Sequence, residues 1–430
     1  MVLGGVIGSG IMRNPSVVAS GFPSPLWVML AWAGGGLFVM IDAMPTIELG
    51  AAIPLAGGGY SIVGRAIGPR AGFLVGWCTL AQLVFSTGFI TVAFGEYVHR
   101  LGWLSGLSAG QIGIVLVLAC GLVNGVGAKV GGRLQEVGSA LKALGLVVLV
   151  AALFFYTGAR GPLPAVAPLP AFGWAAAMVA VRAIYGAYGG WEASIYFSEE
   201  VLEPARNVVR ATFGGIALVA VLYLLVNAAV LHVMPVGSVA GSNLAAADAA
   251  SIVFGNGGGV IVTALAILCV ATIANTQVLE TSRILFAMAR KGSMPPAMAR
   301  VSQSGAPRIA LVAAVAATVG VIAAADSVKG PLYEILLELY APFVMIQFLM
   351  LSIAAIWLRR TEPDLPRPFR MPLFPLPALL SAALNTLLIV LFLQSDWKTG
   401  LWSTLTLLCA VPVYRIAQRR WLPKEEAAPG

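Results

Sequence analysis

"GGVIGSGIMRNP", residues 4–15, lies in the first of a series of apolar runs and breaks the pattern that the others keep. Glycine costs roughly 1 kcal/mol per residue in a helix interior relative to alanine. Proline lacks an N–H and clashes with the preceding turn. A helix built only to span lipid has no use for this composition. The segment reads as a helix interrupted on purpose.

The surroundings are strongly apolar. Of 430 residues, 59% are hydrophobic and 10% charged, and the mean hydropathy is +0.91. Soluble domains carry about 25% charged residues. Runs such as "ALGLVVLVAALFF" and "ATFGGIALVAVLYLLVNAAVL" recur along the chain, and several reach the roughly 20 residues that a spanning helix needs. They are continuous rather than alternating, which argues against a transmembrane barrel. The expected fold class is an all-α polytopic membrane protein in a lipid bilayer. Twelve spans are read at 1–20, 25–51, 71–98, 110–128, 133–157, 172–197, 208–234, 258–289, 308–325, 332–358, 373–394 and 398–416, the first of them short.

The net charge of +8 does not point to nucleic acid, because most basic residues lie in short loops between apolar runs and report topology. The even-numbered loops and the tail after span 12 carry Arg65, Arg70, Lys129, Arg133, Arg206, Arg210, Arg290, Lys291, Arg300, Arg308, Arg359, Arg360, Arg367, Arg370, Arg415, Arg419, Arg420 and Lys424. The odd-numbered loops carry only Arg100, Arg160, Lys329 and Lys398. Basic residues concentrate on the cytoplasmic side of membrane proteins, so both termini are expected there. Cys78, Cys120, Cys269 and Cys409 fall inside apolar runs and read as small core residues. No His, Cys or carboxylate spacing suits a metal, and His99 and His232 stand alone. No cofactor is implied, and no cleavable leader pattern precedes span 1.

Span 6 contains a second interruption, "IYGAYGGWEAS", five spans after the first. Five is odd, so the two interrupted helices belong to halves of opposite topology. Glycine-broken helices at matching positions of inverted halves are the sequence signature of a transporter binding site. A break leaves N–H groups free at the start of one half-helix and C=O groups free at the end of the other. The first end is partially positive and the second partially negative. An α-amino acid carries a carboxylate and an ammonium that fit these two ends. Ser9 and Gly10 are placed to offer N–H groups to the carboxylate. Val6, Gly186 and Ala187 are placed to offer carbonyls to the ammonium. The alternative is that Gly8 and Gly10 simply let helices pack closely.

These segments resemble the amino acid–polyamine–organocation superfamily. "IGSGIMRNP" is similar to its span 1 signature. The stretch "IELGAAIPLAGGGYSIVGRAIGPRAGFLVGW" is similar to its spans 2–3. "GAYGGWEASIYFSEEVLEPARNVVRA" resembles span 6 and the following loop, above all in the L-type amino acid transporter branch and its bacterial relatives. "SRILFAMARKGSMPPAMARVSQSGAPRIAL" and "RPFRMPLFP" resemble the loops after spans 8 and 10.

The resemblance covers nearly the whole chain. It implies a five-plus-five inverted repeat in residues 1–358, with spans 11–12 and a short cytoplasmic tail in residues 359–430. It implies Na⁺-independent amino acid transport, with substrate held by Val6, Ile7, Gly8, Ser9, Gly10, Gly186, Ala187, Tyr188, Gly189 and Glu192. Exchange, uniport and proton symport all remain open.

Three departures from the family pattern matter. Family members carry about half a helix before Gly4, so span 1 is expected to be truncated at its start or the start to be misassigned. A bulky aromatic residue commonly occupies the position of Gly186, so a roomier or differently gated pocket is expected. Glu192 stands where relatives often have a neutral polar residue. Animal light chains of this branch attach to a heavy chain through a cysteine between spans 3 and 4. The corresponding stretch here, "HRLGWLSGLSAGQ", has none, so no disulfide-linked partner is expected.

Charges inside spans are costly and functional by default. Lys142, in "GSALKALGLVVLV" of span 5, resembles the lysine that replaces a bound sodium ion in related transporters and is expected to serve coupling. Its alternative is to snorkel to the cytoplasmic interface. Glu192 is read as a partner for a cationic substrate side chain, or for Arg13 or Arg182. Asp42, Glu48, Glu199, Glu200, Glu203 and Arg283 lie toward cytoplasmic helix ends and read either as gate ion pairs or as solvated charges. Tyr188 and Trp191 either wall the pocket and gate it or pack against neighbouring helices.

Two other classes stay in view. A membrane sensor would be expected to carry an output domain, whereas only "LPKEEAAPG" follows Trp421. A polyamine or organic cation transporter would share the fold. A membrane enzyme would need clustered His, Cys or paired carboxylates within spans, and none is expected from the sequence pattern.

Overall fold

The computed structural model describes residues 5–55, 57–126, 128–157, 161, 173–196, 203–302, 305–327, 330, 332–395 and 397–421. Span 1 enters as a helical stub at residues 5–6, loses helical form at 7–8, and resumes as α1 (Ser9–Gly21). Span 2 is α2 (Pro25–Ala52), and a short linker helix α3 (Gly59–Ala66) follows. Spans 3, 4 and 5 are α4 (Pro69–Arg100), α5 (Ala109–Val126) and α6 (Ala128–Phe155).

Span 6 is again divided, into α7 (Trp174–Tyr188) and α8 (Ala193–Tyr196). Span 7 is α9 (Pro204–Val233). A short buried helix, α10 (Val236–Ala240), packs on span 1 and leads to α11 (Ala245–Arg290). Spans 9 to 12 are α12 (Arg308–Asp326), α13 (Leu332–Thr361), α14 (Leu376–Ser395) and α15 (Trp397–Arg420).

Among the described residues, ten helices are long and apolar enough to cross a membrane. Spans 1 and 6, the two read as interrupted, fall outside that set because their continuous pieces are short. Helix starts follow local chemistry. Pro25, Pro69 and Pro204 each occupy the first turn of their helix, where the missing N–H has no intrahelical partner to lose. Gly68, just before α4, sits at φ +124, a backbone that side-chain-bearing residues rarely adopt.

The one span whose start differs clearly from expectation is span 8. α11 bends at Gly255 (φ 69, ψ −169), which separates a short, largely buried helix at 245–254 from the spanning part. The sequence reading missed this outer piece because "AAADAASIVF" is apolar yet too short to register as a span.

Packing reveals the repeat. Spans 1, 2, 3 and 4 each contact the span five later: 6, 7, 8 and 9. Spans 1, 2, 6 and 7 contact one another in every pairing, as do spans 3, 4, 8 and 9. The two groups meet where the broken part of span 1 crosses span 8, and span 10 packs on spans 2 and 3. α4 lies at the centre, with 83% of its apolar window buried.

The outer helices turn Leu118, Leu122, Leu144, Val147 and Ile261 outward, as lipid contact requires. Cys78, Cys120 and Cys269 are buried as expected, but Cys409 is exposed, because α15 lies at the periphery with one face turned to lipid.

Buried carboxylates stitch the helices together. Glu48, fully buried in α2, accepts two hydrogen bonds from Arg359, at 2.7 and 2.8 Å. It also accepts the Met371 N–H at 2.6 Å and has Arg367 Nε at 3.4 Å. It is therefore no solvated end charge. Breaking a buried ion pair from one side typically costs about 3–5 kcal/mol. Glu48→Ala is expected to lower the thermal unfolding temperature in detergent measurably, because it strands Arg359 and the backbone at Met371. An unchanged melting curve would contradict this.

Asp42 is likewise fully buried. It accepts from Tyr185 Oη (2.9 Å), Ser381 Oγ (2.5 Å) and Asn385 Nδ2 (2.8 Å), joining spans 2, 6 and 11. The expectation of a gate pair or solvated charge at Asp42 is corrected. Among the described residues it is held by neutral donors. Glu203 is exposed and precedes α9 at φ 46.

Candidate functional site

The two interruptions face each other. A Cβ built on Gly10 would lie 2.5 Å from Ala187 Cα and 2.8 Å from Ala187 Cβ. A Cβ on Gly5 would lie 2.7 Å from the Gly190 carbonyl oxygen. The backbones of spans 1 and 6 therefore touch on both sides of the break, and only glycine permits these approaches. Close packing and interruption, posed as alternatives by the sequence, occur together here. Gly10 and Gly5 supply the contact, and residues 7–8 supply the non-helical turn.

Freed backbone groups in a membrane must find partners. Tyr223 of α9 donates its hydroxyl to the Val6 carbonyl at 2.8 Å and lies 3.1 Å from the Ala187 carbonyl. The Lys142 ammonium donates to the Ile7 carbonyl at 2.7 Å and to Thr272 Oγ1 at 3.3 Å. Lys142 is fully buried, so it does not snorkel to the interface. Val6 and Ala187, read as open acceptors for a substrate ammonium, thus already receive the Tyr223 hydroxyl. Each carbonyl retains a second lone pair. Gly186 accepts the Gly189 N–H at 3.3 Å.

A pocket of about 50 Å³ lies at the crossing, lined by Val6, Gly8, Gly10, Gly186, Ala187, Gly189, Gly190 and Glu192, with Gln82 and Ser86 from span 3. Above it opens a vestibule of about 450 Å³ between α1, α7 and α13. Asn14, Arg182, Gly186 and Tyr340 line both, so the pocket forms the floor of the vestibule. A Cβ on Gly186 would meet nothing within 4 Å. The passage is open where an aromatic residue would stand.

Glu192 is buried and accepts from Gln82 Nε2 (2.9 Å) and from the Gly190 N–H (3.0 Å). Its predicted pairing with Arg13 is corrected: Arg13 forms an ion pair with Glu96 of span 3 and lies 3.8 Å from the centroid of the Tyr333 ring. Arg182 faces Glu338 electrostatically.

Tyr188 is buried away from the pocket lining. Its hydroxyl donates to the Trp32 carbonyl at 3.2 Å, and its ring packs on Trp32 and Tyr223. Trp191 stacks on Phe348, with ring centroids 5.0 Å apart, beneath the pocket. Ile7 is fully buried. Ser9 opens α1, and its side chain lies outside the described residues, as do Glu199 and Glu200. Arg283 is half-buried in α11, one turn beyond Glu280.

Toward the basic face, the described residues make contacts that narrow the way to the pocket. The Gly5–Gly190 contact and the Trp191–Phe348 stack lie below it. Further out, the Tyr60 and Ser293 hydroxyls are 2.8 Å apart, and Lys291 donates to Ser61 at 3.0 Å. On the opposite face Arg100 pairs with Asp248 at 2.5 Å, fixing the outer helix of α11 to span 3.

Several pocket residues escaped the sequence reading, among them Gln82 and Ser86, and two further side chains matter most. Tyr223 looked like one more aromatic in an apolar run. Glu280, in "IANTQVLETSR", is a lone acid late in span 8, yet it is buried and lines the pocket. Among the described residues no cluster of three or more His, Cys, Asp or Glu suited to a metal occurs.

The amino acid permease family model matches residues 1–414. The serine/threonine exchanger SteT of Bacillus subtilis is 28% identical over 436 residues, covering 98% of this chain and 95% of that protein. The human large neutral amino acids transporter small subunit 2 is 28% identical and covers 96% of this chain, which spans 78% of the relative. The human Asc-type amino acid transporter 1 is 27% identical, with 96% and 80% covered. With its interrupted spans crossing at a central pocket and the family model matched over nearly its whole length, the chain belongs to the amino acid permease family.

Proposed function

We propose that the protein is a Na⁺-independent secondary transporter that moves amino acids across the cytoplasmic membrane by alternating access. The observation that carries this reading is the paired break: spans 1 and 6 expose main-chain groups to one buried pocket, and Lys142 stands beside it. The α1 N-terminus, at Ser9 and Gly10, suits the substrate carboxylate, because its N–H groups carry partial positive charge. The carbonyl ends near Val6 and Gly186 suit the ammonium through their remaining lone pairs.

Lys142 is proposed as the coupling residue. A covalently held ammonium gives span 1 the positive charge that a sodium ion would otherwise supply. The names of the relatives, a serine/threonine exchanger and two amino acid transporters, support this substrate class.

Residues 1–358 are proposed as the transport core, with spans 11 and 12 packed outside it. Both termini are proposed to be cytoplasmic, from the excess of basic residues on that face. The vestibule then opens outward, and the contacts on the basic face are assigned to the inner gate. Trp191 is assigned to that gate and Tyr188 to the wall behind the pocket. The segment between spans 3 and 4 carries no cysteine, so no disulfide-linked heavy chain is proposed.

The test is uptake of a labelled amino acid panel into proteoliposomes, in sodium and in choline buffer, with and without internal amino acid. Uptake equal in both buffers and accelerated by internal substrate is the expected result and marks an exchanger. Sodium-dependent uptake, or binding without any uptake, would refute the proposal. The second of those outcomes is what a sensor would give.

A further inference from the structure

Span 8 brings a second carboxylate into the pocket. Glu280 is 4% exposed, lines the same cavity as Glu192, and lies within electrostatic reach of it. Glu192 is engaged by Gln82 and by the Gly190 N–H. Glu280 makes no hydrogen bond or ion pair among the described residues. Gln82, itself 2% exposed, points its Nε2 at Glu192, and its Oε1 has no hydrogen-bond partner. The span 3–span 8 side of the pocket is therefore a wall of acceptors without enough donors. The cations around the pocket face other groups: Lys142 reaches Ile7 and Thr272, Arg13 reaches Glu96, Arg182 lines both pocket and vestibule but faces Glu338, and Arg283, one turn along α11 from Glu280, does not line the pocket.

Burying carboxylates without donors is costly, and two in one dehydrated pocket repel each other. We infer that the substrate supplies the missing donors: the pocket takes basic α-amino acids, whose side-chain ammonium or guanidinium docks between Glu192, Glu280 and Gln82. This inference rests on the amino acid transport reading and extends it. The main-chain breaks hold the α-carboxylate and α-ammonium. The acid pair holds the distal cation. An ammonium has three donors, matching the Glu280 carboxylate, the second Glu192 lone pair and Gln82 Oε1. A neutral side chain of equal length fills the same space but leaves both acids unpaired. Sites built to bond a polar group reject analogues lacking it strongly.

The experiment compares three probes on purified protein in detergent, by ligand-induced thermal shift and by competition with labelled lysine. Lysine carries both the α-amino acid head and the distal cation, norleucine only the head, and cadaverine only the amines. The expected result is lysine binding at least tenfold tighter than norleucine, with cadaverine weaker than lysine. Glu280→Gln is expected to reduce the lysine-to-norleucine affinity ratio at least tenfold, and Glu280→Asp to restore part of it.

Norleucine equal to or tighter than lysine overturns the inference and leaves amino acid transport standing. Cadaverine as tight as lysine keeps the cation site and refutes recognition of the amino acid head. A ratio unchanged in Glu280→Gln removes Glu280 from the site and overturns the inference. So does failure of all three probes to bind.

Discussion

Gly10→Leu is expected to abolish substrate binding and transport while the protein still inserts and purifies as a monodisperse particle. The first side-chain carbon alone would lie 2.5 Å from Ala187 Cα and 2.8 Å from Ala187 Cβ. These atoms are backbone and the root of a side chain, so no rotamer change relieves the overlap. The two broken helices must separate. Overpacking a well-packed contact costs about 1–3 kcal/mol, which a twelve-span bundle survives but a binding site formed by that very contact does not.

Gly8 differs in kind. Its added carbon would meet Ile273 Cδ1, the far end of a flexible side chain, at 2.0 Å. Gly8→Ala is therefore the milder change at the same break. Ser9→Ala is milder again, because the amide proposed to hold the carboxylate remains. Binding measured by substrate-induced thermal shift is expected to rank the variants in the order Ser9→Ala, Gly8→Ala, Gly10→Leu, with the last at background. Normal binding by Gly10→Leu would show that the span 1–span 6 contact is not part of the site.

The parts of this architecture that were legible in the sequence are those that departed from the cheapest way to cross lipid. Glycine clusters inside apolar runs mark both breaks, and their pairing five spans apart is what singles them out, since Gly34, Gly35 and Gly36 sit in the continuous α2. Span limits were readable to a few residues because hydropathy is a dense, additive signal. The helix at 245–254 was not, since ten apolar residues are too few to register as a span.

Polar side chains were harder still. Asp42 and Glu48 were read as gate ion pairs or solvated charges; Glu48 does pair with Arg359, whereas Asp42 is enclosed by neutral donors from sequence-distant spans. Tyr223 carries the hydroxyl that joins both breaks, but its partners are main-chain carbonyls 36 and 217 residues away. Glu280 has no patterned neighbour at all. What makes it a site residue is where span 8 crosses span 1, a property of the bundle and not of the local sequence.

Lys142→Ala is expected to reduce transport at least tenfold with expression and helical content retained. The ammonium is fully buried, 2.7 Å from the Ile7 carbonyl and 3.3 Å from Thr272 Oγ1. An isolated ammonium at mid-bilayer costs about 2.5–3.5 kcal/mol on insertion scales, so its place is set by the acceptors it finds. One of those is a carbonyl that exists as a free acceptor only because span 1 is broken. The bond thus ties span 5 and span 8 to the non-helical turn of span 1.

Truncation to alanine leaves that carbonyl without its donor, at about 1–3 kcal/mol for an unsatisfied buried group. It also removes the positive charge beside the carboxylate end of the pocket. Neither loss touches the packing among spans 3, 4, 8 and 9, which is why the fold is expected to persist. Thr272→Val removes only the longer contact and is expected to be several-fold milder. Uptake rates compared at equal reconstituted protein decide the matter. A Lys142→Ala variant that transports at the wild-type rate would mean that the ammonium serves span packing alone, and the coupling role assigned to it would fall.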